Sequence, residues 1–539
     1  MKISKQNLYV TLTIILAYIL YYPSIFHELT NWDDNTAVTN NSLIRSLSWP
    51  YILRLFTEPY FFNYQPLLNL SYAFEYYFFG VNPTIIHLDN LLLFLINMLL
   101  VYKFILLVSG KPQVAIMATL LFAVHPTRIE PLAWATTRSY LLYLSFYLLA
   151  LIQYIKYLQK LKVDALKLKI KNWHYFLSIL FFVFACLCKS TAISLCLTLG
   201  FIDYLYKREF NKKVFSDKIP FFLISIFFGI IAIHSVKGTY TLEVFNLMEK
   251  IQLAGYSLVF YFNKFILPFN LSTFYPYPYS PGTLPFYYWA FPFLIVLLTG
   301  LIFYTNRFTR KIIFAFGFFF STIILMLQFF AVGDCFAADR YSFVPYIGLF
   351  YIVGEGFDYL NNRSKVFLFS ARIKLGHFLF ATIIIMFSYF SHEHIKVWKN
   401  SYVLFSDVIN NYPKSFIAYC NRGEALIKVG KTREAIKDLD EAIGLNPKYA
   451  LSYNNRGIAK AQTGDFLGGL QDLNTAIGLD PNYANSYNNR GNCYFMLKDS
   501  EKACADWNKA YNMGDLNAGK AIEFNCTKNY NKEKSSNKQ

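Results

Sequence analysis

Eleven apolar runs set the terms for this chain, at about residues 8–26, 86–108, 112–125, 138–157, 174–189, 190–206, 219–236, 286–304, 313–332, 342–359 and 375–391. Each reads as a membrane span. No water reaches the middle of a bilayer, so a lone spanning segment satisfies its backbone polar groups by folding as a helix. The reading is therefore an all-α, polytopic helical membrane domain of about eleven spans. A mean hydropathy of +0.31 with 55% hydrophobic residues is too high for a soluble protein of 539 residues.

The net charge of +18 is a common signature of nucleic-acid binding, but its placement points elsewhere. Basic residues gather in short loops at Lys156–Lys171, Lys207–Lys218, Arg307–Lys311 and Arg363–Lys374. The positive-inside rule puts all four on the cytoplasmic side. No aromatic-interleaved basic motif is present, so no nucleic-acid partner is expected. The run Ile251–Leu267 is apolar but holds Asn263 and Lys264. A full crossing there would turn the clusters at 307–311 and 363–374 outward, so an interfacial or re-entrant helix is expected. Met1–Gln6 is basic and leads into Leu8–Tyr22 with no small-x-small cleavage site before Pro23, which predicts a retained first span. This parity gives a cytoplasmic N-terminus and an extracytoplasmic C-terminal part, in a bacterial inner membrane or, in a eukaryote, the endoplasmic reticulum. It also places the loop bearing Asp33 and Asp34, the Tyr-Pro-rich loop 268–285 and the loop 333–341 on that same outer face.

The C-terminal part repeats. Asn421-Arg422-Gly423, Asn455-Arg456-Gly457 and Asn489-Arg490-Gly491 recur every 34 residues. Pro413, Pro447 and Pro481, Tyr419, Tyr453 and Tyr487, and Ala442, Ala476 and Ala510 keep the same register. This is the period and pattern of the tetratricopeptide repeat. Small residues let paired helices approach, and each proline ends a repeat. The expected layout is a membrane domain over 1–395, a repeat domain over 396–526 and a disordered, Lys/Asn/Ser-rich tail over 527–539. Within the repeat domain, a half-repeat with Phe405 and Pro413 precedes three repeats, and 514–526 forms a capping helix. Cys186, Cys188 and Cys196 read as packing residues. Cys420, Cys493, Cys504 and Cys526 permit disulfides if that part is extracytoplasmic.

The candidate chemistry lies in the outer loops. Carboxylates are costly near hydrocarbon, so Asp33 and Asp34, in Trp32-Asp33-Asp34-Asn35, are functional candidates. One can serve as a general base while the other orients it; an Asx-type turn or helix cap is the structural alternative. His125, Arg128, Glu130, Trp134 and Arg138 cluster at the outer end of a span. Arg128 or Arg138 can grip a lipid phosphate, or simply snorkel. Lys189 is an outward lysine between two spans, against the positive-inside bias, and is assigned to phosphate. Asp339-Arg340-Tyr341 offers either an ion pair that locks its loop or a substrate contact. Phe274-Tyr275-Pro276-Tyr277-Pro278-Tyr279 reads as an aromatic lip or an interfacial belt. His392 and His394 are assigned a surface role, and no metal site is expected. An acid pair at a membrane face beside a protein-binding solenoid suggests an enzyme that takes a substrate from lipid and hands it to a polypeptide.

These pieces, taken in order, resemble the TMTC family of transmembrane and tetratricopeptide-repeat O-mannosyltransferases and their bacterial relatives of GT-C type. The carriers are Trp32-Asp33-Asp34 with Asn40-Asn41, Gln65-Pro66-Leu67-Leu68-Asn69-Leu70-Ser71 and His87-Leu88-Asp89-Asn90. His125-Pro126 with Glu130 and Trp134, Lys189, Phe274-Tyr275-Pro276-Tyr277-Pro278 and Ala338-Asp339-Arg340-Tyr341 follow. The resemblance covers nearly the whole chain, although the family's eukaryotic members carry longer repeat arrays. It implies a GT-C-like fold and transfer of a sugar from a polyprenyl-phosphate to a hydroxyl on the outer face, without a metal or other cofactor. It makes Asp33 or Asp34 the catalytic carboxylate, with Asp33 the favoured base. Asn421, Asn455 and Asn489 resemble the asparagine ladder with which other repeat-bearing glycosyltransferases grip a peptide; helix packing is the alternative.

The expected protein is thus a membrane glycosyltransferase that acts on a Ser/Thr hydroxyl of a polypeptide, with mannose suggested by the family. Arg128, Arg138, Lys189 and Arg340 are its candidate donor-phosphate ligands, and His125, Glu130 and Asp339 are supporting residues. Its partners are the lipid-linked sugar, membrane lipid and an acceptor held by the repeats. The rival readings are a transferase of the same fold acting on a glycan or lipid, and a non-enzymatic membrane scaffold.

Overall fold

The computed structural model describes residues 5–60, 63–164, 173–209, 211–236, 245–279, 281–327, 335–363, 366–368, 371–373 and 375–526. The tail 527–539 and parts of the loop 333–341 and of the basic runs 156–171 and 363–374 lie outside the described residues. The chain forms two compact units, Met1–Lys399 and Asn400–Gln539. The division falls just after the turn Lys396–Lys399, which packs within the first unit through the buried Trp398.

The first unit begins with α1 (Lys5–Tyr21), α2 (Trp49–Thr57), α3 (Pro66–Phe79), α4 (Pro83–Ser109), α5 (Pro112–Val124) and the single turn α6 (Ile129–Ala133). It continues with α7 (Arg138–Asp164), α8 (Trp173–Cys188), α9 (Leu195–Leu205), α10 (Lys212–Ser216), α11 (Ile219–Val236) and α12 (Leu247–Ile266). It closes with α13 (Ala290–Tyr304), α14 (Arg310–Ile323), α15 (Tyr346–Arg363) and α16 (Leu375–Ile395). Each of the eleven apolar runs overlaps a helix among the described residues. Among the described residues six helical stretches are long and apolar enough to cross a membrane: Lys5–Phe26, Pro83–Ser109, Ala135–Leu161, Lys212–Ser235, Phe286–Arg307 and Gly376–Trp398. Pro112–Val124, Trp173–Cys188 and Ser190–Leu205 are apolar but shorter. This unit is a helical membrane domain.

Local chemistry explains where its helices begin and how closely they pack. Asn82 caps α4 by accepting from the Thr84 and Ile85 amides, with Pro83 at the first helical position. The chain leaves α4 through Gly110 in a left-handed conformation, φ 69°, and Pro112 starts α5. The ambiguous run is a full helix, α12, opened by a capping box between Asn246 and Glu249. It lies against α13 so closely that a Cβ on Gly255 would sit 2.6 Å from the Pro292 nitrogen. Phe94, Phe122, Phe343 and Phe350 interleave from α4, α5, the segment before α15 and α15 itself to fill the centre. Two strands, β1 (Tyr275–Pro276) and β2 (Cys335–Ala337), pair antiparallel and join the Tyr-Pro loop to the segment leading into Asp339. A second antiparallel pair is formed by β3 (Val366–Leu368) and β4 (Ala371–Ile373).

The second unit holds α17 (Ser401–Asn411), then three helix pairs: α18 (Phe416–Lys428) with α19 (Thr432–Leu445), α20 (Ala450–Gln462) with α21 (Phe466–Leu479), and α22 (Ala484–Met496) with α23 (Ser500–Asn512). The last helix is α24 (Leu516–Asn525), tied to α23 by a Cys504–Cys526 disulfide. The repeated glycine is an approach point. A Cβ on Gly423 or Gly457 would meet Leu439 or Leu473 at 2.8 Å, and one on Gly491 would meet Trp507 at 2.7 Å. The arginine beside it staples the same helices. Arg422 grips Asp438, Arg456 grips Asp472 and Arg490 grips Asp506, each through two hydrogen bonds of 2.7–2.9 Å.

Candidate active site

The two acids of the loop after α1 have different surroundings. Asp34 is buried and its carboxylate accepts four hydrogen bonds. They come from the Thr30 amide at 2.8 Å, the Thr30 hydroxyl at 3.0 Å, the Thr136 amide at 3.0 Å and the Thr136 hydroxyl. Asp34 thereby ties its loop to the entrance of α7. Asp33 is half-buried, and among the described residues nothing hydrogen-bonds to its carboxylate. Its carbonyl accepts from the Thr36 and Ala37 amides at 3.1 and 2.8 Å, starting a single wide turn over Asn35–Thr39. Such turns recur at functional sites. Neither acid caps a helix with its side chain. Burial pushes the Asp33 carboxyl up to about 7, against the pull of the nearby Arg340 and with a further push from Asp34. Burial also raises Asp34, opposed by the hydrogen bonds from Thr136 and Thr30.

Trp32, next to Asp33 in the chain, belongs to an aromatic and cationic cluster. Trp32 packs against Trp134 and Phe274, with ring centres 5.5 and 5.8 Å apart, and Trp134 stacks on Trp398 at 5.7 Å. The Arg340 guanidinium lies 5.2 Å over Trp134 and 5.0 Å over Tyr341. Glu130 fixes it by accepting from the Arg340 amide at 2.7 Å and from its guanidinium. The acid paired with Arg340 is therefore Glu130, and the Asp339–Arg340 pair considered from sequence does not form. Asp339 instead accepts from the Tyr275 hydroxyl at 3.0 Å, and burial lifts its carboxyl to about 8. Lys189, at the break between α8 and the turn Ser190–Ser194, is half-buried with its Nζ 4.0 Å from the Tyr140 ring centre. Among the described residues it has no carboxylate partner.

The other candidates are placed as framework. Arg138 is buried and bonds Asn90 at 2.7 Å, Ser71 at 3.3 Å, Glu75 at 2.5 Å and the Ile86 carbonyl at 2.9 Å. Arg128 is fully buried among Phe122, Phe343, Tyr346 and Phe350, and bonds the Phe343 carbonyl, Thr127 and Ser342. Both guanidiniums are buried among these partners. His125 bonds Thr127 and the Phe265 carbonyl within an aromatic shell. The aromatic lip is half interior, because Phe274 and Tyr275 are buried, whereas Tyr279 is exposed. His392 is exposed beside the Glu393–Lys396 pair.

In the repeats, Asn421 and Asn455 are buried. Asn421 bonds the Ile417 carbonyl of its own helix at 2.9 Å, Asn455 reaches the Cys420 sulfur at 3.6 Å, and Asn489 bonds Asn454 at 3.0 Å. The last two link successive repeats. Sequence reading missed Thr30, four residues before Asp34, and Thr136 and Tyr140, which act through partners far away in the chain. It also missed the staple acids Asp438, Asp472 and Asp506, although these recur at the period of 34.

The tetratricopeptide-repeat family matches residues 416–449 and 473–505. The human protein O-mannosyl-transferase TMTC4 is 28% identical over 210 residues, 35% of this chain and 28% of that protein. Human TMTC2 is 30% identical over 154 residues, 27% of this chain and 18% of that one. The Drosophila melanogaster protein O-mannosyl-transferase Tmtc1 is 30% identical over 159 residues, 29% of this chain and 18% of that one. The aligned parts therefore span well under a third of these relatives. A crystal structure of the Archaeoglobus fulgidus oligosaccharyltransferase tethered to an acceptor peptide matches 80% of this chain and 58% of that chain, at a TM-score of 0.39 and 11% identity. The chain is thus a membrane protein that carries tetratricopeptide repeats and is similar over part of its length to the TMTC proteins.

Proposed function

We propose that this protein is a GT-C-type glycosyltransferase that moves a sugar, mannose by the names of its relatives, from a polyprenyl-phosphate to a Ser/Thr hydroxyl of a polypeptide on the extracytoplasmic face. One observation carries the reading. The Asp33 carboxylate is free of hydrogen bonds among the described residues and lies within electrostatic reach of Arg340, on a loop that Asp34 holds rigid. Asp33 takes the proton of the acceptor hydroxyl as its oxygen attacks the anomeric carbon. The bond from that carbon to the phosphate breaks, and the phosphate leaves with the electron pair. Lys189 and Arg340 hold its charge, so the scheme calls on no metal. Arg128 and Arg138 are left out of phosphate binding, since both are committed to packing. The repeat unit presents the acceptor. Its disulfide supports an oxidising, extracytoplasmic setting.

Burial of Asn421 and Asn455 removes two rungs of a peptide ladder, and this favours a second reading in which the acceptor is a glycan or lipid at the same site. Membranes holding the full protein and a labelled polyprenyl-phosphate sugar test both. Transfer that is lost in Asp33→Asn supports the enzyme reading, and transfer at the normal rate in that variant overturns it. Mass spectrometry of exported proteins and glycolipids then assigns the acceptor.

A further inference from the structure

Three separate elements converge on one phenol. Tyr140 lies in the first turn of α7 with 5% of its surface exposed. The Lys189 ammonium, arriving from the end of α8, sits 4.0 Å from the centre of its ring. The Arg340 guanidinium, arriving from the loop after β2, lies within electrostatic reach of its hydroxyl. The two cations also feel one another electrostatically. Glu130 is the acid paired with Arg340, and among the described residues no acid pairs with Lys189. Two like charges held close repel one another, and keeping them there needs a fixed neutral contact. A tyrosine offers both kinds at once. Its π-face attracts the compact ammonium, and its oxygen accepts from the planar guanidinium.

We propose that Tyr140 is a positioning residue that sets the spacing of Lys189 and Arg340, so that both meet one phosphate of the donor. This rests on the transferase reading above. A ring edge or a flexible side chain at position 140 leaves Lys189 free to turn away, and the site then binds phosphate with one cation.

The test uses the purified full-length protein in detergent and farnesyl phosphate, a short polyprenyl monophosphate, with binding followed by tryptophan fluorescence. Tyr140→Leu removes both contacts and is expected to weaken binding about tenfold, within the range of a desolvated cation–π contact. Tyr140→Phe keeps the ring and is expected to lose only about threefold, the size of one hydrogen bond. In a Lys189→Ala background, Tyr140→Leu is expected to add little to the loss already present. Binding by Tyr140→Leu within twofold of wild type, or losses that multiply in the double variant, overturns the proposal. Should Tyr140→Leu not fold, Tyr140→Phe paired with Arg340→Gln decides: a loss that disappears in the Arg340→Gln background supports the proposal, and equal binding by Tyr140→Phe and wild type overturns it. If Lys189→Ala and Arg340→Gln weaken binding while the Tyr140 variants do not, only this inference fails. If wild type does not bind farnesyl phosphate, or Lys189→Ala binds it normally, the phosphate-site reading fails as well.

Discussion

Asp33 and Asp34 share a dipeptide but not a chemistry, and pH separates them. Burial lifts Asp33 to about 7, so a base at this position is disarmed below that value and armed above it. Sugar transfer is expected to rise with pH through about 7, and Asp33→Asn is expected to lower the rate by two to four orders of magnitude. The sign for stability is opposite. A carboxyl raised above its ordinary value favours the protonated folded form, so stability falls as pH climbs from about 4 through 7. Asp33→Asn is therefore expected to melt higher than wild type at pH 8, in a thermal scan of the detergent-solubilised protein. Asp34→Asn is expected to melt lower, because an amide NH2 replaces an oxygen that accepts from both an N–H and a hydroxyl. Thr136→Val is expected to reproduce part of that loss. The acid pair was legible as a candidate site because charge beside hydrocarbon is costly. Its division of labour was not, because the partner that immobilises Asp34 is 102 residues away. The same limit hid the match of Arg340 to Glu130, 210 residues apart, behind the adjacent Asp339.

At the scale of elements, the repeats were readable because their physics is periodic. Glycine must recur where two helices touch, and it recurs at Gly423, Gly457 and Gly491. A methyl group at Gly457 meets Leu473 at 2.8 Å and the Gly469 carbonyl at 3.1 Å, so Gly457→Ala is expected to destabilise the second unit by about 1–3 kcal/mol. Gly478 lies in α21 with open space around its Cβ position, and Gly478→Ala is expected to be neutral or to stabilise by up to about 1 kcal/mol. Thermal unfolding or protease resistance of the repeat region in the intact protein distinguishes the two. The membrane helices were legible for a different reason, since a long apolar run has few alternatives to a helix in lipid. Which arginines at their ends are committed to packing was not legible. Arg128 and Arg138 look like phosphate ligands on a linear sequence. Their commitment to the Phe343 carbonyl, Asn90 and Glu75 exists only in the packed bundle.

For the whole molecule the two units carry different parts of the proposed reaction, and this can be tested by separating them. Asp33, Asp34, Lys189, Arg340 and Tyr140 all lie before Lys399, inside the first unit, and every contact described for them is made within it. A solenoid is stabilised by contacts between neighbouring repeats, so its removal withdraws none of the contacts described for those side chains. Deletion of 400–526 is therefore expected to leave farnesyl phosphate affinity within about twofold of the intact protein while transfer to polypeptide acceptors falls or shifts to other acceptors. The location of the unit removed can be checked in the intact protein. If it lies outside the cytoplasm, Cys504 and Cys526 resist alkylation in cells until a reductant is added, and a reporter fused after Asn525 reads extracytoplasmic. Free alkylation of both cysteines, with a cytoplasmic reporter, means that α12 or another helix changes the parity of the bundle and parts the repeats from the acid loop. Loss of phosphate affinity on deletion, in a protein still inserted in the membrane, means that the second unit takes part in donor binding. Retained affinity with lost or redirected transfer leaves the repeats one role in this scheme, the choice and delivery of the acceptor.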